Sequence, residues 1–231
     1  MGREENPVPR EVFVTGGTGY IGRRLVQALL ERGHRVRVLA RSESVERVPH
    51  GAEPVVGDAL VAETFASALR IGDTLVHLVG TPYPSPAKAA EFERVDLASV
   101  RSSVAATVRS GVAHFVYVSV AQPAPVMRAY LRARAAGERA IAEAGLAATV
   151  LRPWYVIGPA HRWPLALLPL YWVAERLPWT RAGARRLGFV TLPQMVAALV
   201  RAVEAPPASG ETRIVDVPGI RAAARGTTPA G

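Results

Sequence analysis

Eight residues near the start of the chain have the types and spacing of a phosphate-binding loop. They read Thr15-Gly16-Gly17-Thr18-Gly19-Tyr20-Ile21-Gly22 and fit both G-x-G-x-x-G and G-x-x-G-x-x-G. Glycine permits a tight turn, a close approach of the backbone to a pyrophosphate, and close packing of the helix that follows. The free N–H groups and the dipole at that helix N-terminus favour an anion. We therefore predict a dinucleotide site formed by Gly16, Gly17, Thr18, Gly19, Tyr20, Ile21 and Gly22; a tight turn without a ligand is the alternative.

The end of the second predicted strand bears on which dinucleotide would bind. Sites for NAD place Asp or Glu there, about 20 residues beyond the glycines, to bind the ribose 2′-hydroxyl. Here the stretch reads Leu39-Ala40-Arg41-Ser42, and no acid precedes Glu43. The guanidinium of Arg41 could form a charge-assisted pair with a 2′-phosphate. The sequence thus favours NADP(H) over NAD(H), with Arg41 and Ser42 at the phosphate; the alternative is a solvated arginine.

The elements that must position these residues alternate between strand and helix. Strands are predicted for residues 11–14, 35–40, 74–79, 114–118 and 148–151, with a shorter candidate at Val55-Val56. Helices are predicted for residues 20–32, 88–110 and 128–144, each followed by a glycine that can take the C′ position. A short strand over 189–192, a helix over 193–205 and a last strand over 212–217 follow. This order predicts an α/β fold with a doubly wound parallel sheet covered by helices on both faces.

With these motifs placed, the chain resembles the atypical short-chain dehydrogenases/reductases. It is similar to NAD(P)H-binding proteins of the NmrA-like, isoflavone-reductase-like and flavin/biliverdin-reductase-like groups. The resemblance rests on residues 15–41, 56–59, 79–81, 116–119 and 151–153. It implies a Rossmann-like fold with adenine beside Asp58 and Ala59, ribose and pyrophosphate beside Val79, Gly80 and Thr81, and nicotinamide near Pro153, Trp154 and Tyr155. From the residues alone, Asp58 could equally be a helix N-cap.

The catalytic residues that this resemblance implies are only partly present. Many members of the superfamily use a Tyr-x-x-x-Lys pair with a serine, and the matching positions here are Tyr130, Arg134 and Ser119. Residues at i and i+4 share one helix face, so the lysine can bind ribose hydroxyls and assist the tyrosine as an acid. Arginine supplies charge and hydrogen bonds but is bulkier than lysine. The alternative is a surface tyrosine and arginine on an amphipathic helix.

Composition excludes several other classes of function. The chain has no cysteine, which excludes disulfide scaffolds, zinc–thiolate sites and thiol catalysis. The five histidines show no i, i+3 or i, i+4 pairing, so no metal site is predicted. The formal charge of +9 comes almost entirely from scattered arginines, since Lys88 is the one lysine. Without a recognised binding motif this charge does not indicate nucleic acid. The start of the chain lacks an apolar stretch, so no signal peptide and a cytoplasmic location are expected.

An apolar segment stands out after the Rossmann pattern. Residues 163–179 contain three tryptophans and three prolines. Its uncharged run, residues 163–173, is too short and is interrupted by Pro164 and Pro169. Spanning a bilayer takes about 20 apolar residues. We expect an apolar pocket wall; a subunit interface or a membrane-surface patch are the alternatives.

These observations predict one domain over residues 11–217, in which 153–217 form a small C-terminal substrate-side subregion. Residues 1–10 and 218–231 are expected to be flexible tails. The predicted function is that of an NADP(H)-dependent oxidoreductase acting on a small apolar carbonyl, enone or quinone-like substrate. A non-catalytic NADP(H)-binding sensor, regulator or accessory subunit is the alternative.

Overall fold

The computed structural model describes residues 8–124, 126–158 and 187–226 of the chain. Seven strands form one parallel sheet in the order β3-β2-β1-β4-β5-β6-β9. The strands are β1 (Glu11–Thr15), β2 (Arg35–Ala40), β3 (Glu53–Val56), β4 (Thr74–His77), β5 (His114–Val118), β6 (Ala148–Leu151) and β9 (Thr212–Val215). The strand order reverses between β1 and β4, which makes the carboxyl edge there a switch point where doubly wound folds bind ligands.

Helices cover both faces of this sheet, as the sequence predicts. They are α1 (Tyr20–Glu31), α2 (Ala89–Glu91), α3 (Ala98–Ser110), α4 (Arg128–Glu143), α5 (Leu192–Glu204) and α6 (Val217–Ala223). A π-helical segment, Phe92–Leu97, joins α2 to α3, so that the predicted helix over 88–110 contains one wide turn. Short 3₁₀ helices occupy Ser42–Arg47, Ala62–Thr64, Ala66–Ala68, Pro86–Lys88 and Ala224–Gly226.

Two hydrophobic cores lie on opposite faces of the sheet because side chains alternate along each strand. On β1, Val12 and Val14 face one core and Phe13 faces the other. The first core packs α1, α5 and α6 against the sheet, and the second packs α3 and α4. Both faces of the central strands β1, β4, β5 and β6 are therefore buried, which is why these strands are largely apolar. The fold class predicted from the sequence is confirmed.

Parts of both predicted tails form defined structure among the described residues. Residues 217–223 form α6. The side chain of Asp216 caps the N-terminus of this helix by accepting a hydrogen bond from the Gly219 N–H at 3.0 Å. Val217 and Ile220, which belong to this helix, are fully buried. At the other end, Arg10 is anchored, since its backbone N–H donates to His34 Nδ1 and its guanidinium donates to the Glu204 carbonyl.

The substrate-side subregion contains a strand pair that the sequence did not predict. The strand β7 (Tyr155–Ile157) pairs in parallel with β8 (Phe189–Thr191) in a separate two-stranded sheet. The predicted strand over 189–192 is therefore present but does not join the main sheet. The apolar segment 163–179 lies outside the described residues.

Candidate functional site

The glycine loop turns directly from β1 into α1 at the switch point. Gly16 has φ +75°, a left-handed conformation that favours glycine. A Cβ on Gly16 would come within 2.9–3.0 Å of the backbone of Leu78 and Val79, so the loop rests on the end of β4. A Cβ on Gly22 would overlap the Gly16 carbonyl oxygen. Gly16 and Gly22 are thus required by the loop itself.

Gly19 differs from these two glycines because its outer side is open. It is the N-cap residue of α1, and among the described residues no side chain caps this helix. A Cβ on Gly19 would meet one neighbouring atom, the Gly16 carbonyl oxygen at 3.2 Å. The first turn of α1 also holds no acidic residue that would repel an anion. This geometry fits the diphosphate of a dinucleotide, which would approach the first-turn N–H groups from the open side of Gly19.

Two predicted loop residues contribute in different ways. Thr18 is half-buried beside Gly19 and belongs to the open side of the loop. The Tyr20 hydroxyl instead lies where a Cβ on Gly158 would be, at the end of β7. Burial, reinforced by nearby Tyr155, raises the pKa of Tyr20. Tyr20 therefore packs the glycine loop against the end of β7.

Arg41 follows β2 at the same edge of the sheet and is exposed. Its Nε atom lies 3.1 Å from the Glu43 carboxylate, and both side chains are more than 60% exposed. Exposed pairs of this kind contribute about 0–1 kcal/mol, so the Arg41 guanidinium can leave Glu43 at little cost. Ser42 is exposed beside it at the start of a 3₁₀ helix. Both residues can thus reach a phosphate at the end of β2.

Asp58 and Ala59 lie beyond β3, where the resemblance places the adenine. The Asp58 carboxylate accepts a hydrogen bond from the Leu60 N–H at 2.9 Å, and the Asp58 N–H donates to Thr64 Oγ1 at 2.9 Å. Asp58 therefore forms a turn of its own and does not cap a helix. Both Asp58 and Ala59 are half-buried.

The end of β4 is held by a buried carboxylate that the sequence analysis missed. Asp96, in the π-helical segment, is fully buried and accepts from the Thr81 N–H at 2.9 Å and the Thr81 hydroxyl at 2.6 Å. Its other oxygen accepts from Arg134 Nη2 at 2.7 Å. Arg134 Nη2 in turn occupies the space that a Cβ on Gly80 would fill. Val79, Gly80 and Thr81 are thus fixed from behind by an ion pair.

Arg134 is neither a surface residue nor free to hold a ribose. Its side chain is 8% exposed, and it also donates to the Val118 carbonyl at 3.0 Å. Burial opposes the charged form, but the neighbouring Tyr130, Tyr117 and Asp96 outweigh it and raise the pKa of Arg134 above its usual range. The guanidinium stays charged and bonded within the fold. The prediction that Arg134 takes the place of a catalytic lysine stays a prediction; in the structure Arg134 supports the end of β4 through Asp96.

Ser119 is likewise engaged within the fold. It is 3% exposed, and its hydroxyl donates to Glu138 Oε1. Glu138 also accepts from Gln122 Nε2 at 3.0 Å and from the Arg152 guanidinium. The hydroxyl of Ser119 is thus bonded to Glu138, and its expected catalytic role stays a prediction. Glu138 connects the ends of β5 and β6.

Tyr130 is the one residue of the predicted catalytic set that is half-exposed. Its ring packs edge-on against Phe92, with ring centroids 5.0 Å apart, and lies 5.1 Å from Arg134 Cζ. These two contacts fix the plane of the ring at the first turn of α4, on the side of β4 and Thr81. Tyr130 is therefore the residue of the three that can present a hydroxyl to a bound molecule.

Pro153, Trp154 and Tyr155 follow β6 and complete this edge of the sheet. Pro153 is buried, and its carbonyl accepts from the Ala121 N–H at 2.9 Å. Trp154 is half-buried, and Tyr155 packs edge-on against Phe189 across the β7–β8 pair. The structure thus places these residues at the carboxyl end of β6, where the resemblance expects the nicotinamide.

A buried polar network joins β1, β4 and α3 beneath the glycine loop. His77 Nδ1 lies 2.9 Å from Thr15 Oγ1 and 3.0 Å from Ser103 Oγ, and His77 Nε2 lies 3.3 Å from Ser99 Oγ. Burial, together with the charge of Arg134, lowers the pKa of His77 to about 3. The imidazole is therefore neutral at physiological pH and acts as a hydrogen-bonding spacer.

A signal for the missed residues exists in the sequence. Tyr130, Arg134 and Glu138 recur at i, i+4 and i+8, so they share one helix face. That face also carries Ala133, Gly137 and Ile141, which are buried. Charged residues within an apolar helix face indicate buried partners, here Asp96 and Arg152.

The parallel sheet and the uncapped helix at its switch point define a Rossmann-type dinucleotide-binding protein. The sequence model of the NAD(P)H-binding family matches residues 16–160, and the chain belongs to this family. The resemblance to atypical short-chain dehydrogenases/reductases is thereby confirmed.

Three known proteins illustrate the similarity. The chain is 28% identical to a ceramide reductase of Caulobacter vibrioides over 84% of this chain and 61% of that protein. It is 36% identical to a 4-hydroxy-2-methyl-3-oxo-4-farnesyl-3,4-dihydroquinoline-1-oxide ketoreductase of Stigmatella aurantiaca over 46% of this chain and 32% of that protein. The chain thus spans less than two thirds of the length of these relatives.

The crystal structure of the Bordetella bronchiseptica enzyme WbmH with NAD+ superposes with a TM-score of 0.64. The match covers 86% of this chain and 73% of WbmH at 22% identity, and it shows a shared fold. Within the residues that the structure describes, no helix is long and apolar enough to cross a membrane.

Proposed function

We propose that the protein is an NADP(H)-dependent oxidoreductase acting on a small, largely apolar carbonyl, enone or quinone-like substrate. One observation carries this proposal. The uncapped N-terminus of α1, open at Gly19, lies at the switch point of a sheet whose family binds NAD(P)H.

The choice of NADP(H) is supported by the end of β2. Arg41 is exposed there, and the acid nearest to it along the chain, Glu43, is bound to it by a weak surface pair. A 2′-phosphate would give Arg41 a stronger, charge-assisted partner than Glu43 does. A 2′-hydroxyl would instead have to reach Glu43, two residues further along the chain.

The apolar character of the substrate is supported by the residues after β6 and by the relatives. Pro153 and Trp154 form an apolar wall at the carboxyl edge of the sheet. The names of the two relatives describe a lipid and a farnesylated quinoline as substrates of those proteins. The segment 163–179 lies outside the described residues, and its composition suits an apolar substrate, a membrane surface or a second subunit.

The role proposed for each side chain follows from the hydrogen bonds that it already makes. When bound, the nicotinamide supplies or accepts the hydride. Gly16–Gly22 would hold the diphosphate, and Arg41 with Ser42 the 2′-phosphate. Tyr130 would orient the substrate oxygen and exchange a proton at Oη. The other two predicted catalytic residues, Ser119 and Arg134, donate to Glu138 and Asp96 and keep the strand ends in place.

A second candidate function is a non-catalytic NADP(H)-binding sensor or accessory subunit. It is favoured by the hydrogen bonds that engage Ser119 with Glu138 and Arg134 with Asp96. A site with one free hydroxyl in place of the usual Ser-Tyr-Lys set is poorly equipped for acid catalysis.

One experiment separates the two candidates: single-turnover oxidation of NADPH by the purified protein, with a quinone or a flavin as acceptor. Oxidation that depends on both the protein and an acceptor supports the enzyme. Tight NADPH binding with no oxidation by a panel of carbonyls, enones and quinones supports the non-catalytic candidate.

A further inference from the structure

We propose that Asp96 is a positioning residue for the nicotinamide half of the dinucleotide, and that it acts through Thr81 and Arg134. The inference rests on the proposed cofactor and extends it, because Asp96 lies behind the backbone that would contact the ligand. In doubly wound folds the dinucleotide crosses the switch point, so the strands on the β4 side face the half beyond the diphosphate.

The Asp96 carboxylate is buried and fully hydrogen-bonded. Asp96 has no solvent exposure, and three hydrogen bonds of 2.6–2.9 Å reach it from Thr81 and Arg134. It lies in a π-helical segment, a rare geometry that is frequently found at functional sites. One buried carboxylate therefore sets the position of a loop and of a guanidinium together.

Gly80 packs closely against the Arg134 guanidinium. Any side chain at Gly80 would collide with Arg134 Nη2. The lack of a side chain at Gly80 is therefore required by the guanidinium behind it, whether or not a ligand lies in front. With Arg134 held by Asp96, the backbone of residues 80–81 has one position available.

The backbone that leads to Gly80 and Thr81 also contacts the glycine loop. Gly16 packs directly on the backbone of Leu78 and Val79, and the Leu78 N–H donates to the Thr15 carbonyl at 3.0 Å. A shift of Thr81 would therefore alter the edge of the site next to the diphosphate. Arg41 follows β2 and Asp58 follows β3, on the other side of the glycine loop, and both would be unaffected.

The test compares a whole cofactor with its adenosine half. Calorimetric titration with NADPH and with 2′,5′-ADP is carried out on wild type and on Asp96→Asn. The amide keeps one oxygen for Thr81 but turns N–H groups toward Arg134. Because hydrogen bonds to charged groups are lost, we expect NADPH to bind at least about tenfold more weakly, with 2′,5′-ADP changed by less than about twofold.

Two further variants separate positioning from folding. Glu93→Gln changes an exposed acid in the same π-helical segment and should leave both affinities unchanged. If Asp96→Asn does not fold, Thr81→Val and Thr81→Ser replace it. Valine removes the 2.6 Å hydroxyl bond and should weaken NADPH alone, whereas serine keeps the hydroxyl and should restore binding.

Equal weakening of both ligands, or unchanged NADPH affinity in folded Asp96→Asn, overturns the proposal for Asp96. Wild type that binds neither ligand overturns the proposed cofactor itself and the assignment that rests on it.

Discussion

Glu138 and Arg152 form a two-point ion pair that joins α4 to the end of β6. Arg152 Nε lies 3.0 Å from Glu138 Oε1, and Arg152 Nη2 contacts Oε2. Ser119 and Gln122 donate to the same carboxylate, so one side chain gathers the ends of two neighbouring strands.

We expect Glu138→Ala to lower the free energy of unfolding by about 2–3 kcal/mol, because it removes charge-assisted hydrogen bonds and leaves Arg152 unpaired. Urea unfolding measures the change. The matched control is Glu143→Ala, an exposed position on the same helix, which should change stability by less than about 0.5 kcal/mol. Equal losses in the two variants would contradict this reading.

Arg41 should decide between the two nicotinamide dinucleotides. We expect wild type to bind NADPH more tightly than NADH by about 1.5–3 kcal/mol, the range for hydrogen bonds to charged groups, and Arg41→Ala to lose most of this difference. Calorimetric titration provides the measurement, with Arg47→Ala as the control for an exposed arginine on the adjacent 3₁₀ helix. Equal affinities in wild type would refute the preference.

The glycines of the loop should respond differently to substitution. Gly19→Val should abolish NADPH binding with the fold intact, because its Cβ meets only the Gly16 oxygen and its branches fill the open side. Gly22→Ala should instead lower stability by about 1–3 kcal/mol, since its Cβ overlaps the loop backbone. Thermal unfolding and titration distinguish the two. Normal NADPH binding by Gly19→Val would move the diphosphate elsewhere.

Turnover should depend only moderately on Tyr130. Positioned general-acid catalysis adds about 10²–10⁴-fold, and we expect Tyr130→Phe to lower turnover by less than about 10²-fold. The reason is that Arg134, the partner one turn away, is bonded to Asp96, so the usual tyrosine–lysine pair is absent. Single-turnover NADPH oxidation measures the effect, with NADPH affinity as the control for binding. A loss beyond about 10³-fold would restore Tyr130 as an essential acid.

The buried histidines predict how stability changes with pH. The folded-state pKa is about 3 for His77 and about 4 for His114, both lowered by burial from 6.5. The unfolded chain therefore binds more protons as the pH falls below 6.5, and the free energy of unfolding falls with it. Each histidine contributes at most about 1.4 kcal/mol per pH unit.

Urea unfolding between pH 6.5 and 5 tests this dependence while most carboxylates stay ionised. His77→Gln should reduce the slope by the share of one histidine. A wild-type slope in His77→Gln would show that folding does not lower the pKa of His77.

The main sheet could be predicted because buried parallel strands are apolar runs that alternate with amphipathic helices. Val55 and Val56 are a strand candidate because of their place in that alternation, and they belong to β3. The strand β7 could not be predicted in this way, since three residues carry no period and its pairing with β8 is set by tertiary packing. The helix α6 is not predicted from the sequence because Pro218 and Gly219 are typical of irregular chain, although Asp216 is a favourable N-cap.

The glycine loop was identified from sequence because backbone chemistry demands glycine at fixed spacing. The support of the site was not, because an aspartate, an arginine or a glutamate on a helix usually faces water. Asp96 and Arg134 become interpretable only when the fold brings residues 38 positions apart into contact at 2.7 Å. The same contact explains why the tyrosine–lysine motif is a poor guide to this chain.

The pairing pattern of the sheet has a consequence for how the chain reaches its native state. Every strand pairing in the described part of the protein is parallel, so neighbouring strands are separated by long crossovers. Val12 pairs with Thr74 and Ala148 with Thr212, in each case more than 60 positions along the chain. Such long-range contacts close large loops before they stabilise anything, and they slow folding. Newly synthesised chains therefore expose apolar strands for longer than a hairpin-rich protein of this length would, which makes chaperone dependence and aggregation at high expression the expected behaviour.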